Sequence, residues 1–350
     1  MKAAILYEQN KPLRIEELSI PPLKPGQALV KIVASGICHS QLNEIKGKKG
    51  PDKFLPHTLG HEGAGIVGDI GQGVKKIIKG DHVVLTWIKG VGMDVPSAVY
   101  QGTDGSKINS GAISTFMEYA VISENRLVKI PKEMPFFEAS LLGCAVPTGA
   151  GIVKNTIKLN KNDSIAIFGI GGIGSSALLY VNAIGGKMII AVDVSDSKLE
   201  LAKQLGATHA INSKRIEVIP EIKKLTNGRG VDYSMESSGV KEAMELAFRA
   251  IQDKGTAVIA GNLKLGETIS IDPFELIKGK KIIGTWGGET VPDKDIPAYV
   301  ELFLSKKLKL NDLITNVYEL DEINSALDEL EQGKVIRTVI NMEKNRHARF

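Results

Sequence analysis

At 350 residues the chain exceeds the usual size of a single hydrophobic core, so we expect two domains. Its composition, 43% hydrophobic and 24% charged, is typical of a globular protein, and a net charge of only +4 argues against a nucleic-acid partner. No stretch approaches the ~18 apolar residues of a membrane span, and the first residues lack the apolar core of a signal peptide. Two cysteines cannot form a disulfide framework, so we expect a cytoplasmic protein with no membrane partner.

The first region of the chain, up to about residue 145, is rich in glycine and proline and contains short apolar runs. The runs 28–33 and 116–122 are enriched in the residue types that favour strands. Many short strands separated by turns predict an irregular, mostly antiparallel β domain.

The second region, residues 147–285, alternates between strand and helix patterns. Its continuous apolar runs are typical of strands buried on both faces: 164–168, 188–192, 231–235, 257–260 and 281–284. Helical patterns lie between them, for example at 197–205 and 241–247. This alternation predicts a doubly wound parallel sheet.

The alternation stops after about residue 286. Two helices, near 295–307 and 321–332, lead into a closing strand, 335–340, which we expect to return to the first domain. The predicted division is therefore 1–146 with 286–350 in one domain, and 147–285 in the other. The basic end of the chain, 344–350, is interpreted as a solvated terminus.

A glycine-rich sequence, Gly169-Ile170-Gly171-Gly172-Ile173-Gly174, lies between a predicted buried strand and a helix. In that context G-x-G-x-x-G indicates a dinucleotide site, because its glycines let the backbone approach a pyrophosphate at a helix N-terminus. The next predicted strand ends at Asp193, whose carboxylate can bind the adenosine ribose and repel a 2′-phosphate. The sequence therefore favours NAD over NADP. A plain tight turn and an ordinary helix cap are the alternative interpretations.

The two cysteines, Cys38 and Cys144, flank a histidine, His61, in the sequence. Two thiolates and one imidazole would make a three-ligand zinc site with an open fourth position, which distinguishes a catalytic from a structural zinc. Taken singly, each residue is as well explained as a buried side chain. The wide spacing excludes a zinc finger, so the fold would have to assemble the ligands.

The sequence around His61 carries a resemblance to a known family. Gly60-His61-Glu62-Gly63-Ala64-Gly65, followed by Gly68, Gly71 and Val74 and then by Gly80-Asp81-His82-Val83-Val84, resembles the signature of zinc-dependent medium-chain alcohol dehydrogenases. The resemblance extends from Lys2-Ala3-Ala4 to the final strand. It implies an α/β protein with a mostly-β GroES-like catalytic domain and a Rossmann nucleotide-binding domain. The implied activity is the NAD-dependent oxidation of an alcohol by hydride transfer, or the reverse, with one catalytic zinc.

The resemblance also implies roles for individual residues. Cys38, His61 and Cys144 correspond to the zinc ligands, and Glu62 to an acid that exchanges with the labile ligand. Ser40 corresponds to the hydroxyl that hydrogen-bonds the alcohol. Trp87 falls at a substrate-pocket position.

For the cofactor, the resemblance implies contacts from residues in both predicted domains. Besides Gly169, Gly171, Gly172, Ile173, Gly174 and Asp193, the implied contacts are Lys198 at the ribose, Thr148 at the nicotinamide, and Arg337 and His39 at the pyrophosphate.

Three departures from the family pattern bear on the chemistry. Residues 89–110 contain no cysteine, so we expect no structural zinc. Gln41 replaces an acid that orients the zinc-bound histidine; its amide oxygen is expected to accept the imidazole N–H, with weaker metal binding. Asn43 replaces the last histidine of a proton relay, so protons would leave through water or with help from His39.

Alternative functions remain at this point. A polyol, amino-cyclitol or sugar dehydrogenase of the same superfamily is disfavoured by Cys144, because those enzymes often carry an acid at that position. The absence of cysteines from residues 89–110 and the altered proton relay favour it. Zinc-free enoyl or quinone reductases are disfavoured by the ligand set and Asp193, and a non-enzymatic nucleotide-binding protein is the remotest alternative. The family pairs through an edge strand, here 280–285, so we expect a homodimer or homotetramer acting on a small-molecule alcohol or carbonyl substrate.

Overall fold

The structure is a computed structural model that describes residues 1–333 and 335–343. The predicted solvated terminus, 344–350, lies outside these residues. The chain divides into two compact units. The first comprises Met1–Cys144, Val291–Lys306 and the chain from Ile314 onward; the second comprises Ala145–Thr290 and Lys307–Leu313.

These units differ from the predicted domains in where the chain passes between them. Residues 286–290 belong to the second unit because they pack on helix Ala145–Gly151. The Thr290 hydroxyl donates to the Pro147 carbonyl at 2.8 Å, and a Cβ at Gly151 would lie 2.5 Å from the Gly288 carbonyl oxygen. The apolar pattern of residues 307–313 gave no indication that this segment also joins the second unit.

The first unit is built mainly of β-strands. They are β1 (Lys2–Leu6), β2 (Arg14–Ser19), β3 (Gln27–Ile37), β4 (His57–Thr58), β5 (Glu62–Ile70), β6 (His82–Thr86), β7 (Tyr100–Gly102), β8 (Lys107–Ser110), β9 (Tyr119–Ser123), β10 (Leu127–Ile130), β17 (Ile314–Glu319) and β18 (Arg337–Asn341). Its helices are α1 (His39–Ile45), α2 (Phe136–Ser140), α9 (Pro292–Leu304) and α10 (Ile323–Glu331).

The strands of the first unit form a closed barrel and a larger sheet. The barrel has the order β1-β2-β7-β8-β4, and the sheet has the order β10-β6-β5-β3-β18-β17, with β9 also paired to β3. The closing strand β18 pairs antiparallel with β3, Thr338 opposite Ile37, which confirms its predicted return to the first domain. Strand β17 was not predicted, because apolar and polar residues do not alternate regularly along its sequence.

Two apolar cores hold the first unit together. One lies within the barrel and sheet and includes Ile5, Val30 and Leu85; the other packs α1 and α10 on the strands through Leu42, Ile45 and Leu327. Burying a side chain of this size contributes about 1.5–3 kcal/mol. This packing fixes α1, whose N-cap residue is Cys38, against the strands.

The second unit alternates strands and helices. Its strands are β11 (Ser164–Phe168), β12 (Met188–Asp193), β13 (His209–Asn212), β14 (Val231–Glu236), β15 (Ile251–Ile259) and β16 (Lys281–Gly284). Its helices are α3 (Ala145–Gly151), which continues into a π-helical turn (Ile152–Thr156), α4 (Gly172–Ala183), α5 (Asp196–Gln204), α6 (Val218–Leu225), α7 (Lys241–Ala250) and α8 (Pro273–Ile277).

The sheet of the second unit is parallel and has the order β13-β12-β11-β14-β15-β16. This is the doubly wound order, with the chain reversing direction across the sheet between β11 and β14. Ligands of such sheets bind at the carboxyl ends of the strands near that reversal. Here those ends are Phe168, Asp193 and Glu236. The predicted fold class, a β-rich unit plus a Rossmann unit, is confirmed.

Within the described residues, no single helix is long and apolar enough to span a membrane. Two consecutive segments, Phe136–Gly143 and Ala145–Thr156, are long and apolar enough only when taken together, and they are bent by 59° where they join.

Candidate metal centre and nucleotide-binding loop

Three side chains widely separated in sequence converge in the first unit. The ligand atoms of Cys38, His61 and Cys144 all lie within 4.8 Å of one another. Both cysteines are buried and His61 is partly exposed. Two soft sulfur donors and one imidazole nitrogen suit zinc and leave one tetrahedral position for another ligand. The donor set therefore fits a catalytic zinc.

Local backbone features place the first two of these side chains. Cys38 follows β3 directly and caps α1 in an extended conformation, with φ −107°. His61 follows Gly60, whose φ of +94° lies in the left-handed region that favours glycine. A Cβ at Gly60 would also lie 2.4 Å from the Thr115 hydroxyl oxygen. The glycine before His61 is thus required by both conformation and space.

Cys144 is held through the residue that precedes it. The Thr86 hydroxyl, at the end of β6, donates to the Gly143 carbonyl at 2.8 Å. A Cβ at Gly143 would lie 2.3 Å from the Leu85 carbonyl oxygen, so only glycine allows this close approach. Sequence reasoning missed Gly143 and Thr86, although a glycine directly before a candidate ligand was the available signal.

The Cys38 and Cys144 side chains are hydrogen-bonded to each other, and this contact shifts their pKa values in opposite directions. A hydrogen bond from Cys144 holds the pKa of Cys38 well below its ordinary value, aided by His61 and opposed by burial. The same hydrogen bond, together with burial, raises the pKa of Cys144. A metal ligated by both sulfurs would require both cysteines as thiolates, so metal binding would be coupled to the loss of thiol protons.

Gln41 contacts His61 in the opposite sense to the one expected. Its amide oxygen accepts the backbone N–H of Gly60 at 2.6 Å, which leaves its amide nitrogen 2.7 Å from Nδ1 of His61. The imidazole then accepts at Nδ1 and carries its proton on Nε2, which lies 3.2 Å from the Cys144 sulfur. The expected acceptance of the imidazole N–H by the amide oxygen is corrected: the Gly60 N–H occupies that oxygen.

Glu62 and Arg337 form a buried ion pair behind the metal centre. Nη2 of Arg337 donates to Oε1 of Glu62 at 2.5 Å, and Nη1 donates to the Ile37 carbonyl at 2.8 Å. Burial lowers the pKa of Arg337, but Glu62, Cys38 and Cys144 raise it by more, so its pKa lies above the ordinary value. Removing one partner of such a pair costs about 3–5 kcal/mol. Both residues thus support the site structurally.

The other predicted residues of the first unit lie on the elements around this centre. Ser40 is partly buried and His39 is exposed, both in the first turn of α1. Asn43 lies on the same helix, and its side-chain oxygen is buried without a partner among residues 1–333 and 335–343. Trp87 follows β6 and packs, partly buried, against the barrel core.

A second group of metal-capable side chains lies nearby, formed by Glu44, Asp52 and His57. Nε2 of His57 lies 2.7 Å from Asp52, its Nδ1 contacts the Thr58 carbonyl at 3.0 Å, and Glu44 pairs with Lys49 at 3.0 Å. These contacts already pair the charged groups, and we assign the group a structural role.

The segment without cysteines, which follows Trp87, is held by carboxylates. Glu124 accepts the backbone N–H groups of Lys75, Lys76 and Met93 at 2.6–2.9 Å, and Asp293 accepts that of Val91 at 2.6 Å. Carboxylates that accept several backbone N–H groups form strong hydrogen bonds. Sequence reasoning missed both acids, since nothing in their local pattern separates them from surface acids.

In the second unit, three of the four glycines of the loop Gly169–Gly174 have distinct geometric surroundings. Gly169 has φ +88°, a conformation that favours glycine. A Cβ at Gly174 would lie 2.0 Å from the Gly169 carbonyl oxygen, whereas a Cβ at Gly171 would meet nothing within 4 Å. Gly169 and Gly174 thus serve the fold, and Gly171 leaves open space at the N-terminus of α4. That space suits a pyrophosphate.

Asp193 lies at the carboxyl end of β12, as predicted. Its carboxylate accepts the backbone N–H groups of Ile170, Val194 and Ser195 at 2.7–3.0 Å, so it is tied to the glycine loop. Lys198 lies partly exposed on α5, and Thr148 lies buried on α3.

Two family models match the chain. Residues 24–132 match the alcohol dehydrogenase GroES-like domain, and residues 172–305 match the zinc-binding dehydrogenase domain.

Relatives and solved structures match nearly the whole chain. An S-(hydroxymethyl)glutathione dehydrogenase of Synechocystis is 36% identical over 97% of this chain and 99% of its own. The benzyl alcohol dehydrogenase structure from Acinetobacter calcoaceticus is 34% identical, with a TM-score of 0.90 over 98% of this chain and 99% of its own. A zinc-binding-domain alcohol dehydrogenase from Burkholderia ambifaria is also 34% identical, with a TM-score of 0.91 over 98% of each chain.

Proposed function

Because the chain belongs to the zinc-dependent medium-chain alcohol dehydrogenase family, we propose that it oxidises a primary or secondary alcohol with NAD and one zinc ion. The observation that carries this proposal is the convergence of Cys38, His61 and Cys144 within 4.8 Å. The product would be an aldehyde or a ketone, and the same residues would serve the reverse reduction.

Cys38, His61 and Cys144 would hold the metal. Zinc would supply a Lewis acid that makes the alcohol a stronger acid. The two thiolates would neutralise the charge of a bound dication, and the buried Glu62–Arg337 pair holds a further carboxylate near the ligands. The Ser40 hydroxyl would hydrogen-bond the substrate oxygen. Asn43 cannot take up a proton near neutral pH, so the exposed His39 would assist proton release to water.

The second unit would bind the dinucleotide. The backbone of Gly169, Gly171, Gly172, Ile173 and Gly174 would hold the pyrophosphate at the N-terminus of α4. Asp193 would accept the ribose hydroxyls with the oxygen lone pairs that its backbone contacts leave free, and Lys198 would assist. NAD would accept the hydride. Thr148, Arg337 and His39 remain predicted cofactor contacts, with Arg337 needing to act from its buried pair with Glu62.

Two further assignments belong to the same proposal. We place the protein in the cytoplasm, since both cysteines are free thiols and a thiolate site needs reducing surroundings. We propose a homodimer through β16, an edge strand of the sheet. The side chains of Ile277, Ile283 and Trp286 beside it are exposed, and uncovered edges of this kind pair readily.

The proposed function is tested by initial rates with NAD and NADP on a panel of alcohols. The panel includes benzyl alcohol, aliphatic primary and secondary alcohols, S-(hydroxymethyl)glutathione, a polyol and a sugar. We expect turnover of a simple alcohol that a zinc chelator abolishes and added zinc restores. Turnover that survives complete zinc removal would contradict the proposal, as would zinc-loaded protein that oxidises none of the alcohols. Turnover of the polyol or sugar alone would replace the simple-alcohol assignment.

Cofactor choice is tested by Asp193→Ala, with Asp196→Ala as its matched control. Asp196 is a nearby carboxylate bonded to Asn212 and Arg215 at the surface. Losing a charged hydrogen bond is worth about 1.5–3 kcal/mol. We therefore expect the preference for NAD over NADP to fall about 10–100-fold in Asp193→Ala and to stay unchanged in Asp196→Ala.

A further inference from the structure

Glu236 is a buried acid that neither the metal centre nor the predicted cofactor contacts include. It ends β14 and is fully buried, with no exposed surface. In the sheet it lies directly opposite Phe168, the residue before the glycine loop Gly169–Gly174. It therefore lies at the reversal of the sheet, where dinucleotides bind.

One carboxylate oxygen of Glu236 organises the turn that follows it. Oε1 accepts the backbone N–H groups of Ser238 and Gly239 at 2.6 and 2.8 Å, and the Ser238 hydroxyl at 2.5 Å. We call residues Ser237–Gly239 the serine turn. Burial raises the pKa of Glu236, and the hydrogen bonds from the serine turn lower it.

The serine turn in turn supports the glycine loop. The Ser237 hydroxyl donates to the Gly169 carbonyl at 2.9 Å, and the Ser237 N–H donates to the Phe168 carbonyl at 2.9 Å. Space is tight on this side, since a Cβ at Gly169 would lie 2.8 Å from that of Ser238. The position of the glycine loop thus depends on the position of the serine turn.

The backbone at Gly261 packs closely against the other carboxylate oxygen of Glu236, Oε2. Oε2 has no hydrogen-bond partner in the part of the chain that the structure describes. A Cβ at Gly261 would lie 2.4 Å from it and 2.3 Å from the backbone nitrogen of Gly239. The segment after β15 therefore closes over Glu236 and the serine turn, and Glu236 is enclosed without touching open space.

We propose that Glu236 is a positioning residue for the dinucleotide: by fixing the serine turn against the glycine loop, it sets the affinity of the second unit for NAD. The inference rests on the proposed NAD site and adds a residue that acts on the cofactor only through the backbone. Oε1 acts as a hydrogen-bond acceptor, so an amide oxygen can replace it. The negative charge itself is not required.

The test is NADH binding by fluorescence, with steady-state kinetics and zinc content measured on the same proteins. Ser237→Ala removes the bond to Gly169. Ser234→Ala is its matched control. The buried Ser234 hydroxyl donates to the Ala247 carbonyl at 2.7 Å and not to the serine turn or the glycine loop. A neutral hydrogen bond is worth about 0.5–1.5 kcal/mol, so we expect the Kd for NADH to rise about threefold to tenfold in Ser237→Ala only. KM for NAD should rise with it, while kcat and zinc content stay unchanged.

Two substitutions of Glu236 complete the test. Glu236→Ala removes the acceptor of the Ser238 and Gly239 N–H groups and of the Ser238 hydroxyl, so the serine turn loses all three contacts and we expect NADH affinity to fall about tenfold or more. Glu236→Gln keeps the acceptor and should stay within about twofold of the wild type. If wild-type protein fails to bind NADH, the proposed function fails. If it binds NADH but Ser237→Ala and Ser234→Ala behave alike, the role of Glu236 is overturned. Folded Glu236→Ala with unchanged affinity, or Glu236→Gln as weak as Glu236→Ala, would overturn it equally.

Discussion

The metal centre and the glycine loop solve the same problem, the binding of a charged group, in different ways. The metal centre is made of side chains from three distant positions, each placed by a different element of the first unit. The glycine loop is made of consecutive backbone groups between one strand and one helix. One substitution of a side-chain ligand can abolish metal binding. The affinity of the glycine loop for a pyrophosphate instead depends on keeping its backbone N–H groups clear of neighbouring side chains.

The largest effect is expected from Cys38→Ser, which removes one thiolate from the metal centre. A Lewis acid is worth several kcal/mol, and each 1.36 kcal/mol is tenfold in rate. We expect zinc to be lost and alcohol oxidation to fall by at least about a thousandfold. NADH binding, whose glycine loop and Asp193 lie in the second unit, should stay within about twofold of the wild type. A zinc-replete, fully active Cys38→Ser protein would remove this cysteine from the ligand set.

An intermediate effect is expected from Gly171→Ala in the glycine loop. The new methyl group meets no protein atom within 4 Å, so the fold should keep its stability, but the methyl fills the space proposed for the pyrophosphate. Overpacking costs about 1–3 kcal/mol, which corresponds to NADH binding weakened by about 10–100-fold.

The control for this loop is Gly68→Ala on β5, where a Cβ would make only ordinary contacts, the nearest at 3.6 Å from the Leu29 carbonyl oxygen. Equal NADH affinity in Gly171→Ala and Gly68→Ala would mean that the cofactor does not approach Gly171. Zinc content should be unchanged in both proteins.

The smallest effect is expected at Gln41, where the metal centre departs from its family. A histidine that binds metal through Nε2 carries its proton on Nδ1 and donates it to an acceptor. With the Gln41 amide oxygen directed at the Gly60 N–H, the amide nitrogen faces Nδ1 and offers this proton no acceptor, whereas a carboxylate presents an acceptor oxygen to each. Gln41→Glu should therefore tighten zinc binding about tenfold, measured by competition with a chromophoric chelator, and Gln41→Met should not tighten it. Unchanged zinc affinity in Gln41→Glu would show that the Gly60 contact does not limit the metal centre.

The two sites also differ in how far the sequence could predict them. The strand, glycine loop and acid of the second unit are local patterns, and Ser164–Phe168 and Asp193 lie where the pattern indicated. The ligand set was implied by resemblance, because no local pattern brings Cys38 to Cys144. Asp193 was expected to serve the ribose, yet three backbone N–H groups already use its carboxylate.

What the sequence could not supply were contacts that depend on tertiary packing. The orientation of the Gln41 amide follows from the Gly60 N–H, and the role of Glu236 follows from a turn that packs on a distant loop. Strands β13 and β17 were missed because they are short and carry polar residues among the apolar ones. The return of the closing strand to the first domain was predicted from the sequence, but its pairing with β3 was not.

Alcohol oxidation is proposed to depend on one zinc ion held by Cys38, His61 and Cys144. The most direct measurement is zinc per chain by elemental analysis of purified protein, made alongside NAD-linked activity for the wild type and Cys144→Ser. We expect one zinc per wild-type chain, and the loss of both zinc and activity in Cys144→Ser. Activity in protein free of zinc, or one full equivalent of zinc retained in Cys144→Ser, would contradict it.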